Sequence, residues 1–372
     1  MADPRYLIRS IEFWPHDIPL LDPFVVATGA RSLAENAFVR VTLADGTEGY
    51  GEMAPFPEVG GAGRQACLAA ASGLARLCVA KSATEYRALG RAMAEQAREE
   101  PAARCGIETA IVDALCRALG VPLWSFLGGA DIREHETDIT IPIADLEKTV
   151  ALARGWHARG FRLLKMKVGK LGGDVEDDIR RVDAVRHALA DVRFIVDANQ
   201  GYTRETCARF VREIARRGGT IVLLEQPVPR DDLEGLAALR RDTGIPVAAD
   251  ESVRTLDEAR QVRRRDAADF INVKITKSGL CEALDIAAYA RAAGFRLMIG
   301  GMVETRLAMG CSFGMVLGTG GYEVLDLDTP LLLASDPIAG GYRYNEPRLV
   351  PWTGAGLDAS VKLATEVTRI EA

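Results

Sequence analysis

The chain has 372 residues, 48% of them hydrophobic, enough for a sizeable core and more than one domain. Its 46 Lys+Arg and 52 Asp+Glu give a formal net charge of −6 with no long run of one sign, which argues against nucleic acid or an anionic membrane surface as the main partner. No apolar stretch approaches the roughly 18 residues a membrane span needs, and MADPRYLIRS lacks the apolar run of a secretory signal. The seven cysteines are widely spaced without a CxxC pair, so a cytoplasmic protein with neither a disulfide framework nor a zinc site is expected. His16, His135, His157 and His187 nowhere stand at metal-ligand spacing, leaving hard-metal or metal-free chemistry.

The first 60 residues read as antiparallel β. Residues 6–14 alternate, and 37–43 lead through the Asp45-Gly46 turn into 48–52. Between them, 19–31 reads as a long apolar loop. From 62 to 119 the pattern turns helical, with a break near Glu100-Pro101. An α+β domain over 1–125 is the expectation.

After Gly128-Gly129 short strand-like runs recur at 139–143, 163–168, 194–198, 222–226, 247–250, 270–275, 297–300 and 322–328, with amphipathic helical stretches between them. Their polar ends repeat at intervals of roughly 25–30 residues, the length of a βα unit. No GxGxxG follows a strand, so a (β/α) barrel over 126–330 is favoured over a doubly wound sheet. The segment 331–372, with Gly340-Gly341, Pro347 and Pro351, is expected to return to the first domain.

Charged residues at the ends of parallel barrel strands need a reason, since both faces of such strands are normally apolar and active sites lie at that end. Lys165 and Lys167, at i and i+2, share a strand face, where mutual repulsion and burial would depress their pKa values toward a usable base. Asp197, Glu225 and Asp250 end the next three strands. Three converging carboxylates call for a cation, and an all-oxygen set suits Mg²⁺. Asn199 and Glu251 are neighbours able to orient those ligands. Lys274 ends the following strand, across the metal from the first lysine pair, a layout for moving a proton at one carbon from either face. Lys277, one helical turn on, reads as ordinary surface charge.

The segments LKMKVG at 164–169, DANQGY at 197–202, EQP at 225–227, ADES at 249–252 and NVKITKSGL at 272–280, with GYGEMAP at 49–55, resemble the enolase superfamily, muconate lactonizing enzyme subgroup, in order and spacing. The resemblance covers nearly the whole chain. It implies a modified (β/α)7β TIM-type barrel with an N-terminal α+β capping domain. It further implies Asp197, Glu225 and Asp250 as Mg²⁺ ligands, Lys167 and Lys274 as a two-face acid/base pair, and Lys165 as an aid to Lys167 and to the substrate carboxylate. The branch that uses a His–Asp dyad is disfavoured because no histidine follows His187.

LDLDTP places Asp326 and Asp328 at the last strand's end, where two carboxylates can bind a free α-ammonium group, and this D-x-D is similar to that of dipeptide epimerases. Thr140, Gly301 and Met302 match positions that contact the dipeptide in relatives. The implied reaction is epimerisation of the C-terminal residue of L,L-dipeptides. N-acylamino acid racemisation, or dehydration or epimerisation of a hydroxyproline-type amino acid, are the rivals on this scaffold, and a barrel that only binds is the rival of another class. Ala-Glu epimerases carry an arginine where this chain has Gly29, with Arg31 two residues on. The segment is otherwise apolar, and Met53 and Phe56 are candidates to line the same pocket, which favours hydrophobic side chains. Glu52 or Glu58 would serve cationic ones. Barrels of this kind often form homo-oligomers, and the sequence sets no number.

Overall fold

The computed structural model describes residues 3–59 and 61–372. Its N-terminal sheet has β1 (Ile8–Val26), β2 (Gly29–Leu43) and β3 (Glu48–Met53), joined at the edge by the C-terminal strand β12 (Thr368–Glu371), which pairs antiparallel with β1. Helices α1 (Arg64–Cys78), α2 (Tyr86–Gln96) and α3 (Pro101–Leu119) pack on it around Ile11, Val39, Val41, Leu74 and Ile111. Nearly all of α3 is buried. It can lie this close to β3 because Gly51 has no Cβ, which would collide with the Gly106 carbonyl.

Residues 19–31 are not a loop. β1 and β2 continue as a hairpin arm, pairing Phe24 with Arg31, Val25 with Ala30 and Val26 with Gly29, with the ladder interrupted between Pro19 and Phe24. Pro19 and Pro23 disguise the alternation in the sequence, while Ile18, Leu20, Phe24 and Val26 find their apolar partners outside the arm, in Phe56, Val303 and Leu333. Backbone bonds from Ile143 to the Val25 carbonyl and from Leu171 to the Ala27 carbonyl, both 3.0 Å, fasten the arm over the barrel mouth.

The barrel strands are β4 (Ile139–Ile141), β5 (Leu163–Lys167), β6 (Arg193–Asp197), β7 (Ile221–Glu225), β8 (Val247–Ala249), β9 (Phe270–Val273), β10 (Arg296–Ile299) and β11 (Tyr322–Leu325), a parallel sheet in sequential order. Seven helices alternate with them: α4 (Leu146–Ala158), α5 (Val175–Ala188), α6 (Arg204–Arg216), α7 (Leu233–Thr243), α8 (Leu256–Arg264), α9 (Leu280–Ala292) and α10 (Arg306–Thr319). The curl brings the two ends of the sheet together, where the Asp138 N–H donates to the Leu325 carbonyl at 3.0 Å. This is a modified (β/α)7β TIM-type barrel behind an α+β cap. Side-chain caps start most barrel helices, as at Asp145, Asp174, Thr203, Asp232 and Thr305, and Thr255 with Glu258 forms a reciprocal capping box on α8.

Inside the barrel, Ile195, Leu223, Ala248, Phe270 and Met298 form an apolar floor. Strand side chains repeat with period two, so the next inward layer toward the mouth is Asp197, Glu225, Asp250, Asn272 and Gly300. The floor excludes water from below, and the polar layer above it becomes the site.

Candidate active site

The structure brings the predicted lysines and carboxylates together, nearly all of them buried. Lys165 Nζ lies 2.6 Å from Asp326 Oδ2, 2.9 Å from Glu225 Oε2 and 3.2 Å from Asp197 Oδ2. Lys167 Nζ donates to Asp197 Oδ2 at 2.6 Å and to Asn199 Oδ1 at 3.1 Å. Lys274, just past β9, reaches Asp250 Oδ2 at 2.7 Å and Glu225 Oε1 at 3.9 Å. Three strands separate β5 from β9, so Lys167 and Lys274 belong to opposite sides of the mouth. Asn199 also donates to Glu251 Oε1 at 3.2 Å, linking the loops after β6 and β8.

Electrostatics here run against one expectation. Burial pulls the Lys165 ammonium down, but Asp326, Glu225, Asp197 and Asp138 outweigh it and hold it well above the ordinary lysine range. Lys274 is likewise raised, with Asp250 overcoming burial. Carboxylates, rather than a second ammonium, dominate the surroundings of Lys165, so the mutual depression expected from the K-x-K spacing does not govern it. The carboxylates divide. Burial would raise Asp250, but Lys274 and Lys277 bring it below the usual range. Glu225 is pushed up to about 8, first by burial and then by the Asp197 charge, against the pull of Lys165 and Lys274. Asp197, Glu225 and Asp250 offer only oxygen donors, the set that suits a hard divalent cation, and in this structure the ammonium groups of Lys165, Lys167, Lys274 and Lys277 hold them.

Lys277 is not surface charge. It is 5% exposed, and its ammonium donates to Asp250 Oδ1 at 2.6 Å and to the Asn272 carbonyl at 3.0 Å. The short helix Ile275–Ser278 turns it back into the barrel, and the spacing of Lys274 and Lys277 was the available signal. Asp138 was also missed. It precedes Thr140 by two residues, on the same inward face, and is wholly buried beside Asp326 and Asp328. One oxygen from each of these three lies within 4.8 Å of the others.

A cavity of about 30 Å³ opens on this layer, walled by Thr140, Lys165, Lys167, Lys274, Gly301, Met302 and Asp326, with Phe24, Val26 and Phe56 above. A roomier cleft of about 550 Å³ lies outside the barrel mouth, between Arg230 and Glu258–Arg265, and holds none of the predicted groups. Met53 does not line the cavity. It packs in the cap core, with Cys67 Sγ 3.7 Å from its sulfur. Glu52 is spent on the fold, accepting from Asn36 Nδ2 and from the N-terminal N–H groups of Thr305 and Ala308, where it caps α10. Glu58 pairs with Arg31 Nε at 2.7 Å. Glu52 is thus fully engaged by the fold, while Glu58 keeps Oε2 without a hydrogen-bond partner.

Residues 10–128 match the mandelate racemase/muconate lactonizing enzyme N-terminal domain, and 148–364 match the enolase C-terminal domain-like family. The chain belongs to the enolase superfamily, in its muconate lactonizing enzyme subgroup. It is 40% identical over 335 residues to an aromatic dipeptide epimerase of Herpetosiphon aurantiacus, a match covering 90% of this chain and 93% of that relative. The crystal structure of a mandelate racemase/muconate lactonizing protein from the same organism superposes with a TM-score of 0.93 at 38% identity, over 97% of this chain and 100% of the other. A dipeptide epimerase of Enterococcus faecalis V583, solved with Mg and L-Leu-L-Tyr, gives 0.90 at 30% identity over 95% and 99%. Epimerase relatives at such identity over most of the chain make this superfamily member an isomerase. No helix among the described residues is long and apolar enough to cross a membrane.

Proposed function

We propose that the chain is a Mg²⁺-dependent dipeptide epimerase that inverts the α-carbon of the C-terminal residue by a two-base proton transfer. The observation that carries this reading is the pair Lys167 and Lys274 on opposite sides of one buried carboxylate trio, beneath a pocket that Asp326 also lines. Asp197, Glu225 and Asp250, with their oxygen-only donors, would hold Mg²⁺, an ion present in the structure of the Enterococcus relative. Bound there, the ion supplies positive charge for the substrate carboxylate, which stabilises the enediolate.

Lys167 and Lys274 address opposite faces of the α-carbon, one removing the proton and the other returning one. Lys165 contributes fixed positive charge beside the substrate carboxylate. Asp326 and Asp328 take the free ammonium group, for which Asp328 is anchored by the Thr140 N–H at 2.6 Å. Phe24, Val26, Phe56, Met302 and Val303 give the pocket an apolar wall, so hydrophobic or aromatic C-terminal side chains are the preferred substrates.

The test is incubation with Mg²⁺ and a pooled L,L-dipeptide library in D₂O. Deuterium at the C-terminal α-carbon of a set of apolar dipeptides is the expected result. Exchange confined to N-acyl amino acids or hydroxyprolines overturns the dipeptide reading.

A further inference from the structure

We infer that Asp138 is a third carboxylate of the ammonium subsite, a positioning residue that acts on the substrate's free amine through Asp326 and Asp328. The inference rests on the dipeptide reading above. Asp138 is 0% exposed and stands just before β4, its N–H bonded to the last residue of β11. That closure of the barrel is what brings it against Asp326 and Asp328, within the 4.8 Å cluster.

Both carboxylate oxygens of Asp138, and Oδ1 of Asp328, are buried without a hydrogen-bond partner. The donors that do reach the trio are Lys165 Nζ, 2.6 Å from Asp326 Oδ2, and the Thr140 N–H, 2.6 Å from Asp328 Oδ2. Lys165 is itself shared with Asp197 and Glu225. Three buried carboxyl groups with a fraction of one lysine leave acceptor capacity unmet, which native folds seldom do, and burial followed by the Asp326 and Asp328 charges raises Asp138 well above the ordinary carboxylate range, so it gains its charge when a cation arrives. Burial, followed by the Asp326 charge, pushes Asp328 up to about 7, as a cluster short of cations should.

The missing partner is a cation rich in hydrogen-bond donors that arrives from the pocket side, where Thr140, Lys165 and Asp326 form the wall. A primary ammonium offers three donors and one charge. Asp138 lies one step deeper than Thr140 and off the wall. Its part is to add charge beneath the two aspartates and so make a free amine the requirement for tight binding.

Asp138→Asn preserves shape and removes the charge. The expected result is a KM for L,L-dipeptides raised about tenfold, with a far smaller change in kcat. The KM or Ki of N-acetyl amino acids with the same C-terminal residue should be unchanged or lower. Asp138→Glu, which keeps the charge, should restore much of the dipeptide KM. Asp138→Ser, assayed below its melting temperature, replaces asparagine if that variant folds poorly. Equal losses on both substrate classes overturn the role of Asp138. Asp326→Asn is run in parallel. If it too fails to separate the two classes, the ammonium reading itself falls; if it separates them and Asp138→Asn does not, only the present inference falls.

Discussion

Lys277 Nζ lies 2.6 Å from Asp250 Oδ1, while Lys274 Nζ lies 2.7 Å from Asp250 Oδ2, so the two carboxylate oxygens are held by two different lysines. Lys277 also donates to the backbone carbonyls of Asp250 and Asn272, tying the end of β9 to the start of the loop after β8. Without Lys277, Asp250 keeps Lys274 but loses the ammonium on Oδ1, and a hydrogen bond to a charged group contributes about 1.5–3 kcal/mol. Lys277→Met is therefore expected to lower the unfolding free energy by that order in urea titration. A loss under 1 kcal/mol would show that Lys277 is dispensable to the fold.

The lysines on the two sides of the mouth make separate predictions. Lys167→Ala and Lys274→Ala should each reduce epimerisation by about 10²–10⁴-fold, the range for loss of a positioned acid or base. One variant should still wash the α-proton of a single epimer into D₂O, because the remaining lysine serves one face. Mass spectrometry on separate L,L and L,D substrates reads this directly. Normal turnover in both variants excludes the two-base assignment.

Much of this layer was legible before the structure because a barrel strand converts sequence into geometry by a simple rule of alternation. Asp197 follows Ile195 and Glu225 follows Leu223 by two residues, so an apolar floor implies a polar layer above it. The rule fails where a strand ends. Lys277 enters the site by way of a short helix, and Asp138 precedes its strand and reads as part of a loop. Glu52 stands in a motif and looked available to substrate, yet its carboxylate is occupied by α10, more than 250 positions away in the chain. The arm escaped notice because its prolines disguise the pairing while its apolar partners lie in other parts of the chain.

Glu304 links stability to pH. Its carboxyl is fully buried and pushed up to about 7, chiefly by burial, which the bonds from the Met302 N–H and the Thr276 hydroxyl offset in part. Its ordinary value is 4.5. Between those two values the folded state binds more protons than the unfolded state, so stability is greatest below about 4.5 for this group and falls as pH rises through 7. The contribution is about 3 kcal/mol. Glu304→Gln keeps an acceptor for both donors and removes the titration. Urea midpoints from pH 5 to 8 should therefore fall less steeply in Glu304→Gln than in the unmodified protein, and parallel curves would assign the dependence elsewhere.

Selectivity at the C-terminal side chain should turn on Arg31 and Glu58. The Arg31 Nε lies 2.7 Å from Glu58 Oε1, and its guanidinium rests 5.1 Å from the centre of the Phe56 ring, which walls the pocket. Glu58 can lie there because Gly29 has no side chain; a Cβ at Gly29 would stand 2.6 Å from Glu58 Cγ. The pair neutralises the guanidinium that rests on Phe56, so an acidic substrate side chain gains no partner in Arg31. Glu58→Gln removes the nearer of the two acidic partners of Arg31, leaving Glu35 at 3.9 Å, and keeps the shape. A charge-assisted hydrogen bond contributes about 1.5–3 kcal/mol, so kcat/KM for L-Ala-L-Glu relative to L-Ala-L-Leu should rise about tenfold or more. An unchanged ratio would mean that Arg31 lies beyond the reach of the substrate side chain, and that the apolar wall alone sets the preference.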